Sequence, residues 1–177
     1  MKKDINLLTN KSQLQEIYDF RVHAWENSPA KGTVNKTLFP NGWSDSVDEF
    51  SLIWYKTNPL QQIIATARLT YFDTIQDATD MGIDLQKFQL PTERPFGFLS
   101  RLAIDKSSRG KGLSRHFDKI RINQLKKDNI QFALIEVINQ RVKGLETLGF
   151  KVIGTVNFKP SDQGQEETLN LLIYINN

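Results

Sequence analysis

The chain has 177 residues, enough for one domain of ordinary size that buries its own core without covalent staples. It holds no cysteine, which excludes disulfides and thiolate chemistry, and its two histidines, His23 and His116, stand too far apart to announce a zinc site. No apolar stretch approaches the roughly 20 residues that span a bilayer, no apolar signal region follows Met1-Lys2-Lys3-Asp4, and a net charge of +3 is too small to argue nucleic acid. A cytoplasmic protein free of metal, membrane and nucleic acid is the expectation.

Ile5-Asn6-Leu7-Leu8 has the pattern of a short first strand, and Ser12-Gln-Leu-Gln15 has capping-box spacing at the head of a helix. Leu14, Ile17, Tyr18, Arg21 and Trp25 follow helical spacing on one stripe. Arg21 interrupts it: the ordinary account is a snorkelling arginine with a packed stem and a wet head, and the alternative is a cation pointed into a cleft. Residues 27–47, rich in Ser, Pro, Gly, Asn and Lys, form an ordered loop or short helix, and their aromatics Phe39 and Trp43 are candidate substrate contacts.

Residues 50–55 and 62–71 are β-rich runs around Lys56-Thr-Asn-Pro-Leu60, hence an antiparallel hairpin, and a polar stretch from Asp73 to Arg94 covers or borders a site. From Phe96 the order becomes strand (Phe96–Ile104), helix (112–128), strand (Gln131–Val137), short helix (140–148), with two further strands at Lys151–Val156 and Leu169–Ile175. Hairpins in front and a βαβ unit behind predict an α+β fold: a mixed sheet of about seven strands, mostly antiparallel with one parallel pair, flanked by helices.

Charge is unevenly placed. Residues 101–151 hold 12 Lys/Arg against 5 Asp/Glu, while the rest holds 11 against 15. Such an excess is either a solvated helix face or the seat of an anionic partner. Within it, Arg109-Gly-Lys-Gly112 stands between the strand ending at Ile104 and a helix. Glycines there let the backbone approach a ligand, and the helix N-terminus adds partial positive charge, as a pyrophosphate cradle requires. Arg109 and Lys111 flank the turn, with Arg115 and Lys119 just beyond. A basic glycine turn without a ligand is the plain alternative. A dinucleotide fingerprint lacks its third glycine, since Leu113, Ser114 and Arg115 follow Gly112, and no phosphate-loop consensus of the Gly-x-x-x-x-Gly-Lys-Ser/Thr kind occurs.

Arg109-Gly-Lys-Gly112-Leu-Ser114 resembles the acyl-CoA motif Arg/Gln-x-x-Gly-x-Gly/Ala of the GCN5-related N-acetyltransferase (GNAT) superfamily, with Ser114 departing at the last position. Leu102-Ala-Ile104 is similar to the family's Leu-Ala-Val strand end, and Leu148-Gly149-Phe150 to its Leu-Gly-Phe turn. Tyr18–Val22, Asp45 to Asp48 and Ile63–Leu69 also look like the family's early elements, so the resemblance spans most of the chain as a single domain, 1–177.

The resemblance implies acetyl-CoA, or another acyl-CoA, as co-substrate and a small-molecule amine as acceptor, with a homodimer left open. Main-chain groups of Leu102, Ala103 and Ile104 would pair with the pantetheine, and amides of Arg109, Gly110, Lys111, Gly112, Leu113 and Ser114 would hold the pyrophosphate. Asn139 is similar to an asparagine near the pantetheine in many members, or else caps the following helix. Arg21, Trp25, Trp43, Arg68 and Ser100 are candidate acceptor contacts. The tyrosine by which many relatives protonate the leaving thiolate falls here at Leu145, and Val142, Leu145 and Leu148 have core spacing. Water, Tyr55, Tyr71 or Tyr174 would have to replace it. Glu136 is a candidate base, with a surface ion pair as its plain account; His116 is better placed for phosphate contact or solvent than for proton transfer, and His23 on the first helix is an outside candidate.

Ser100-Arg101 also resembles the related N-acyl amino acid and acyl-homoserine lactone synthases, which take long acyl chains. By strand alternation these two residues face opposite sides of the sheet, and Arg101 pairing with Asp105 or the 73–94 segment is the structural alternative. A long-chain N-acyltransferase and a non-catalytic acyl-CoA sensor therefore stand beside the acetyltransferase reading.

Overall fold

Residues 5–28 and 32–176 are described in the computed structural model of the chain; Met1–Asp4 and residues 29–31 of the 27–47 segment lie outside them. The elements in order are β1 (Asn6–Leu7), α1 (Leu14–Glu26), β2 (Leu52–Thr57), β3 (Ile63–Phe72), α2 (Ile75–Asp80), β4 (Phe96–Ile104), α3 (Leu113–Lys127), β5 (Phe132–Val137), α4 (Asn139–Glu146), β6 (Phe150–Phe158) and β7 (Glu167–Ile175). They form a seven-stranded sheet in the order β1-β2-β3-β4-β5-β7-β6. β1 runs antiparallel to β2, and β7 antiparallel to both β5 and β6, whereas β4 and β5 pair in parallel through Gly97↔Ala133, Phe98↔Leu134 and Leu99↔Ile135. This is the expected mixed α+β sheet.

By its contacts the chain divides into two compact units. One holds the residues up to Arg68, Arg101–Phe117 and Pro160–Gln165; the other holds Leu69–Ser100, Asp118–Lys159 and the residues from Glu166. In the first unit α1 buries Leu14, Ile17, Phe20, Arg21, Val22 and Ala24; of the expected stripe Leu14, Ile17 and Arg21 are buried, whereas Tyr18 and Trp25 are half-buried. Leu14 and Ile17 pack with Leu8 and Ile53, and Phe20 and Ala24 pack with Ala103 of β4. The expected capping box at Ser12 is not formed. A 3-10 turn over Lys11–Gln13 precedes α1, and its cap is Asn10, whose Oδ1 accepts the Ser12 N–H at 3.0 Å. An asparagine two residues upstream offers the same acceptor, and Gln13, the residue before α1, makes no side-chain cap bond.

In the second unit Phe96 stacks on Phe132 at 5.3 Å between centroids, and Phe72 meets Phe96 at 5.8 Å. The polar connection from Asp73 to Arg94 contains a helix that apolar periodicity did not reveal. α2 is opened by a local device instead: the Asp77 N–H donates to Thr74 Oγ1 at 3.0 Å and the Thr74 N–H to Asp77 Oδ2 at 2.8 Å. The segment closes onto β6, where a Cβ built on Gly154 would stand 2.6 Å from Phe88 Cε1. α4 ends in the turn Leu148-Gly149-Phe150, with Gly149 at φ +97° and its N–H donating to Glu146 O at 3.0 Å.

Candidate functional site

β4 ends at Ile104, and the Asp105 N–H donates to Ile64 O at 2.9 Å. Asp105 then caps a 3-10 turn over Lys106–Ser108, its carboxylate accepting from both the N–H and the hydroxyl of Ser107. Gly110 and Gly112 follow at φ +73° and +75°, a left-handed conformation that an L side chain resists, and α3 begins at Leu113. A Cβ built on either glycine meets no heavy atom within 4 Å. The requirement for glycine is therefore one of backbone path, and the outer side of the turn is open. The first amides of a 15-residue helix lie immediately behind it, without intrahelical acceptors, at the positive end of the helix dipole. These features fit a pyrophosphate.

The flanking cations are placed differently from expectation. Arg109 does not extend toward the open side of the turn: its Nε donates to Ile104 O at 3.0 Å, Nη1 to Asn27 O at 3.0 Å and Nη2 to Ala24 O at 2.8 Å. Lys111 Nζ donates to Ser107 O at 2.8 Å. Lys111 ties the turn internally and Arg109 ties it to the ends of β4 and α1, because backbone carbonyls freed by a tight turn and a helix end offer fixed acceptors.

Leu102, Ala103 and Ile104 lie in β4 beyond Leu99↔Ile135, the last pair of its parallel ladder with β5. Asn139 is the first residue of α4 and not its cap, which is Ile138; the Asn139 Oδ1 accepts from Asn170 Nδ2 at 2.7 Å. Glu136 is half-buried on β5 opposite Leu171. Ser100 is half-buried and accepts at its carbonyl from Arg121 Nη1 at 3.3 Å. Asn139, Glu136 and Ser100 belong to the second unit, as do Tyr71 and Tyr174, while the residues of the glycine turn, Leu102–Ile104 and the acceptor candidates Arg21, Trp25, Trp43 and Arg68 belong to the first.

Arg21 has no wet head. It is 0% exposed and grips Asp48 with two bonds, at 2.8 and 2.9 Å. Arg68 donates to Asp45 at 2.6 Å and to Asp48 at 2.9 Å, and Arg101 binds Asp45 through Nε and Nη2, both at 2.7 Å. Arg101 therefore pairs with neither Asp105 nor the 73–94 segment. It adopts φ +52°, which breaks strand alternation, and its guanidinium lies 4.0 Å from the Trp43 ring centroid. Trp43, expected as a loop aromatic facing substrate, is 2% exposed and meets Trp25 edge-on at 5.1 Å.

Burial alone would raise the pKa of Asp45, yet the charge and hydrogen bonds of Arg101, with Arg68 and Arg21, hold it well below the carboxylate range. Asp48 is likewise lowered against its own burial, by Arg21 first and then by Arg68 and the Asp45 N–H. Three arginines and two aspartates thus form a buried network. Sequence singled out Arg21, Arg68 and Arg101 separately and noted Asp45 to Asp48 only as part of the resemblance; the pairing that joins them appears in the structure.

No protein-family model matches the chain, and no curated relative matches it in sequence. Solved structures do match in fold. A GNAT-family acetyltransferase from Staphylococcus aureus superposes with TM-score 0.56 at 15% identity over 97% of this chain and 99% of the other. A ribosomal-protein-alanine N-acetyltransferase from Brucella melitensis gives 0.63 at 17% over 98% and 99%, and AHL synthase LasI gives 0.65 at 15% over 98% and 91%. The chain has the GNAT fold.

Leu145, where the resemblance would put the tyrosine, is 0% exposed. Tyr71 donates its hydroxyl to Asp128 at 2.6 Å, and burial together with that carboxylate pushes its pKa up, away from acid catalysis. Tyr174 is buried against Phe150 at 5.3 Å, and Tyr55 packs against the Leu8–Leu14–Ile17–Ile53 cluster. Among the described residues, no group of three or more His, Asp or Glu side chains gathers as a metal site, and no helix is long and apolar enough to cross a membrane.

Proposed function

We propose that this chain is an acyl-CoA-dependent N-acyltransferase that moves an acetyl group from acetyl-CoA to the amine of a small molecule by direct attack. The observation that carries the reading is the open turn with two left-handed glycines leading straight into α3. Amides of Arg109–Ser114 would hold the pyrophosphate, and main-chain groups of Leu102–Ile104 would pair with the pantetheine. The bound thioester supplies the activated acyl group. A backbone N–H near Leu102 or Ala103 would polarise its carbonyl; attack by the free amine would form the C–N bond as the C–S bond breaks, the nitrogen giving up its proton to water. A thiol of ordinary pKa, about 8.5, is a competent leaving group near neutral pH, so water can supply its proton and a tyrosine at Leu145 is not required.

Thiol release from acetyl-CoA against a panel of small amines tests the reading. Saturable release with at least one amine is expected. Binding of acetyl-CoA with no release for any amine would instead support the sensor reading. A long-chain N-acyltransferase is favoured by one observation, the Ser100–Arg101 pair with Arg101 locked on Asp45 and Trp43. Decanoyl-CoA in the same assay decides between the two: acetyl-CoA is expected to give the higher kcat/KM, and the reverse order would replace acetyl with a long acyl chain.

A further inference from the structure

We propose that the side chain of Arg109 is a positioning group and not a phosphate ligand: it couples the glycine turn to the C-terminal end of α1, so that a ligand filling the turn also orders residues 22–28. The ligand's identity rests on the acyl-CoA reading; the residue's role rests on geometry.

The last carbonyls of a helix lack intrahelical donors and must be satisfied from outside. In α1 the His23 carbonyl accepts from Asn27 Nδ2 at 2.9 Å, and the Trp25 carbonyl accepts from the N–H of Ser28 at 2.9 Å and from its hydroxyl at 2.6 Å, all within the local turn. The Ala24 and Asn27 carbonyls are reached by a residue more than 80 positions away, Arg109. All three guanidinium nitrogens are engaged, the third on Ile104 at the end of β4. The cation also sits at the negative end of the α1 dipole.

Arg109 is followed directly by Gly110 and Gly112, whose left-handed path defines the turn, and its backbone is extended at the C-cap of the Lys106–Ser108 turn. On the same path His23 Nε2 stands 3.6 Å from Asp105 Oδ1, longer than a hydrogen bond, so the connection rests on Arg109. The backbone of the turn and the end of α1 are thus two faces of one side-chain clamp. Fixing one fixes the other, and by linkage the effect is reciprocal. Only a planar fork with three nitrogens makes these bonds together; lysine keeps the charge and loses the fork.

Hydrogen–deuterium exchange with coenzyme A as the probe, on the wild-type chain and on Arg109→Lys and Arg109→Gln, tests the coupling. In the wild type, coenzyme A should slow exchange both at 109–116 and at 22–28. In both variants, protection at 109–116 should persist and protection at 22–28 should be lost. Arg109→Gln should leave the salt dependence of coenzyme A affinity unchanged, since no phosphate contact is removed. Without ligand, 22–28 should already exchange faster in both variants than in the wild type.

Protection at 109–116 without protection at 22–28 in the wild type would overturn the coupling and leave the acyl-CoA reading intact. So would a shallower salt dependence in Arg109→Gln, the mark of a phosphate ligand. Absence of protection at 109–116 would overturn the acyl-CoA reading. The clamp itself is then judged on the ligand-free comparison, where equal exchange at 22–28 would refute it.

Discussion

Asp48 shows how much of the first unit depends on single polar atoms. Its carboxylate accepts from both Arg21 terminal nitrogens, from Arg68 and from the Asp45 N–H, and it is itself 0% exposed. Removing one partner from a buried ionic network leaves uncompensated charge, typically costing about 3–5 kcal/mol. Asp48→Asn keeps the shape and removes the charge, and chemical denaturation should show a loss of that order. A change below about 1 kcal/mol would mean that the arginines reach water when the aspartate is neutral.

The same residues set a pH dependence. Asp45 and Asp48 have folded pKa values below the unfolded value of about 3.9. The stability they contribute is therefore present above pH 4 and lost as pH falls below it. Denaturation midpoints should be level between about pH 5 and 7 and drop below pH 4, with a smaller drop in Asp48→Asn. Sequence could not pair these groups, because the bonds join positions 20 to 56 apart and helical spacing alone placed Arg21 on the wall of the core. Its stem is where the periodicity put it; the guanidinium is dry because an aspartate meets it.

At the scale of elements, β4 runs over Phe96–Ile104, the bounds that an apolar run between Pro95 and Asp105 predicts. α3, β5 and α4 also fall within a residue or two of their expected ends, since each is a periodic segment bounded by glycine or polar turns. What sequence did not convey is local conformation inside an element: the left-handed Arg101 in β4, held by Asp45 and Trp43, carries no one-dimensional mark.

Gly97 is a second such point. A Cβ there would stand 2.5 Å from Leu125 Cδ2 and 3.1 Å from Ala133 Cβ, so glycine sets how closely α3 packs on β4 and β5. Gly97→Val should destabilise by about 1–3 kcal/mol through overpacking, read from thermal unfolding. An unchanged midpoint would mean that α3 can move outward at no cost.

At the scale of the molecule, part of the excess of positive charge over residues 101–151 is taken up by the fold itself. Arg101, Arg109, Arg121 and Arg141 are each bound to protein acceptors: Asp45, backbone carbonyls, Asp118 with the Ser100 carbonyl, and Asp118 again. Arg121 is fully buried, and its pKa is pulled down to about 10 by that burial, against the raising effect of Asp118. The sequence located the basic region and its glycine motif; it could not separate cations that close the structure from those left for an anion, since that depends on carbonyls and carboxylates brought in from other elements. In the proposed reading, with Arg109 and Lys111 bonded to backbone carbonyls, binding at the turn would rest on backbone amides, and the shape of the turn would matter more than those two charges.

Thermal unfolding with and without acetyl-CoA, on the wild type and on Gly112→Glu, tests that claim most directly. At about 100 times its dissociation constant acetyl-CoA should add about 2.7 kcal/mol, a rise of roughly 5–10 °C for a chain of this size. Gly112→Glu, with no heavy atom near its new Cβ, should fold with a modest loss from the left-handed backbone and show no rise. No rise in the wild type with any acyl-CoA, or an equal rise in Gly112→Glu, would contradict the account.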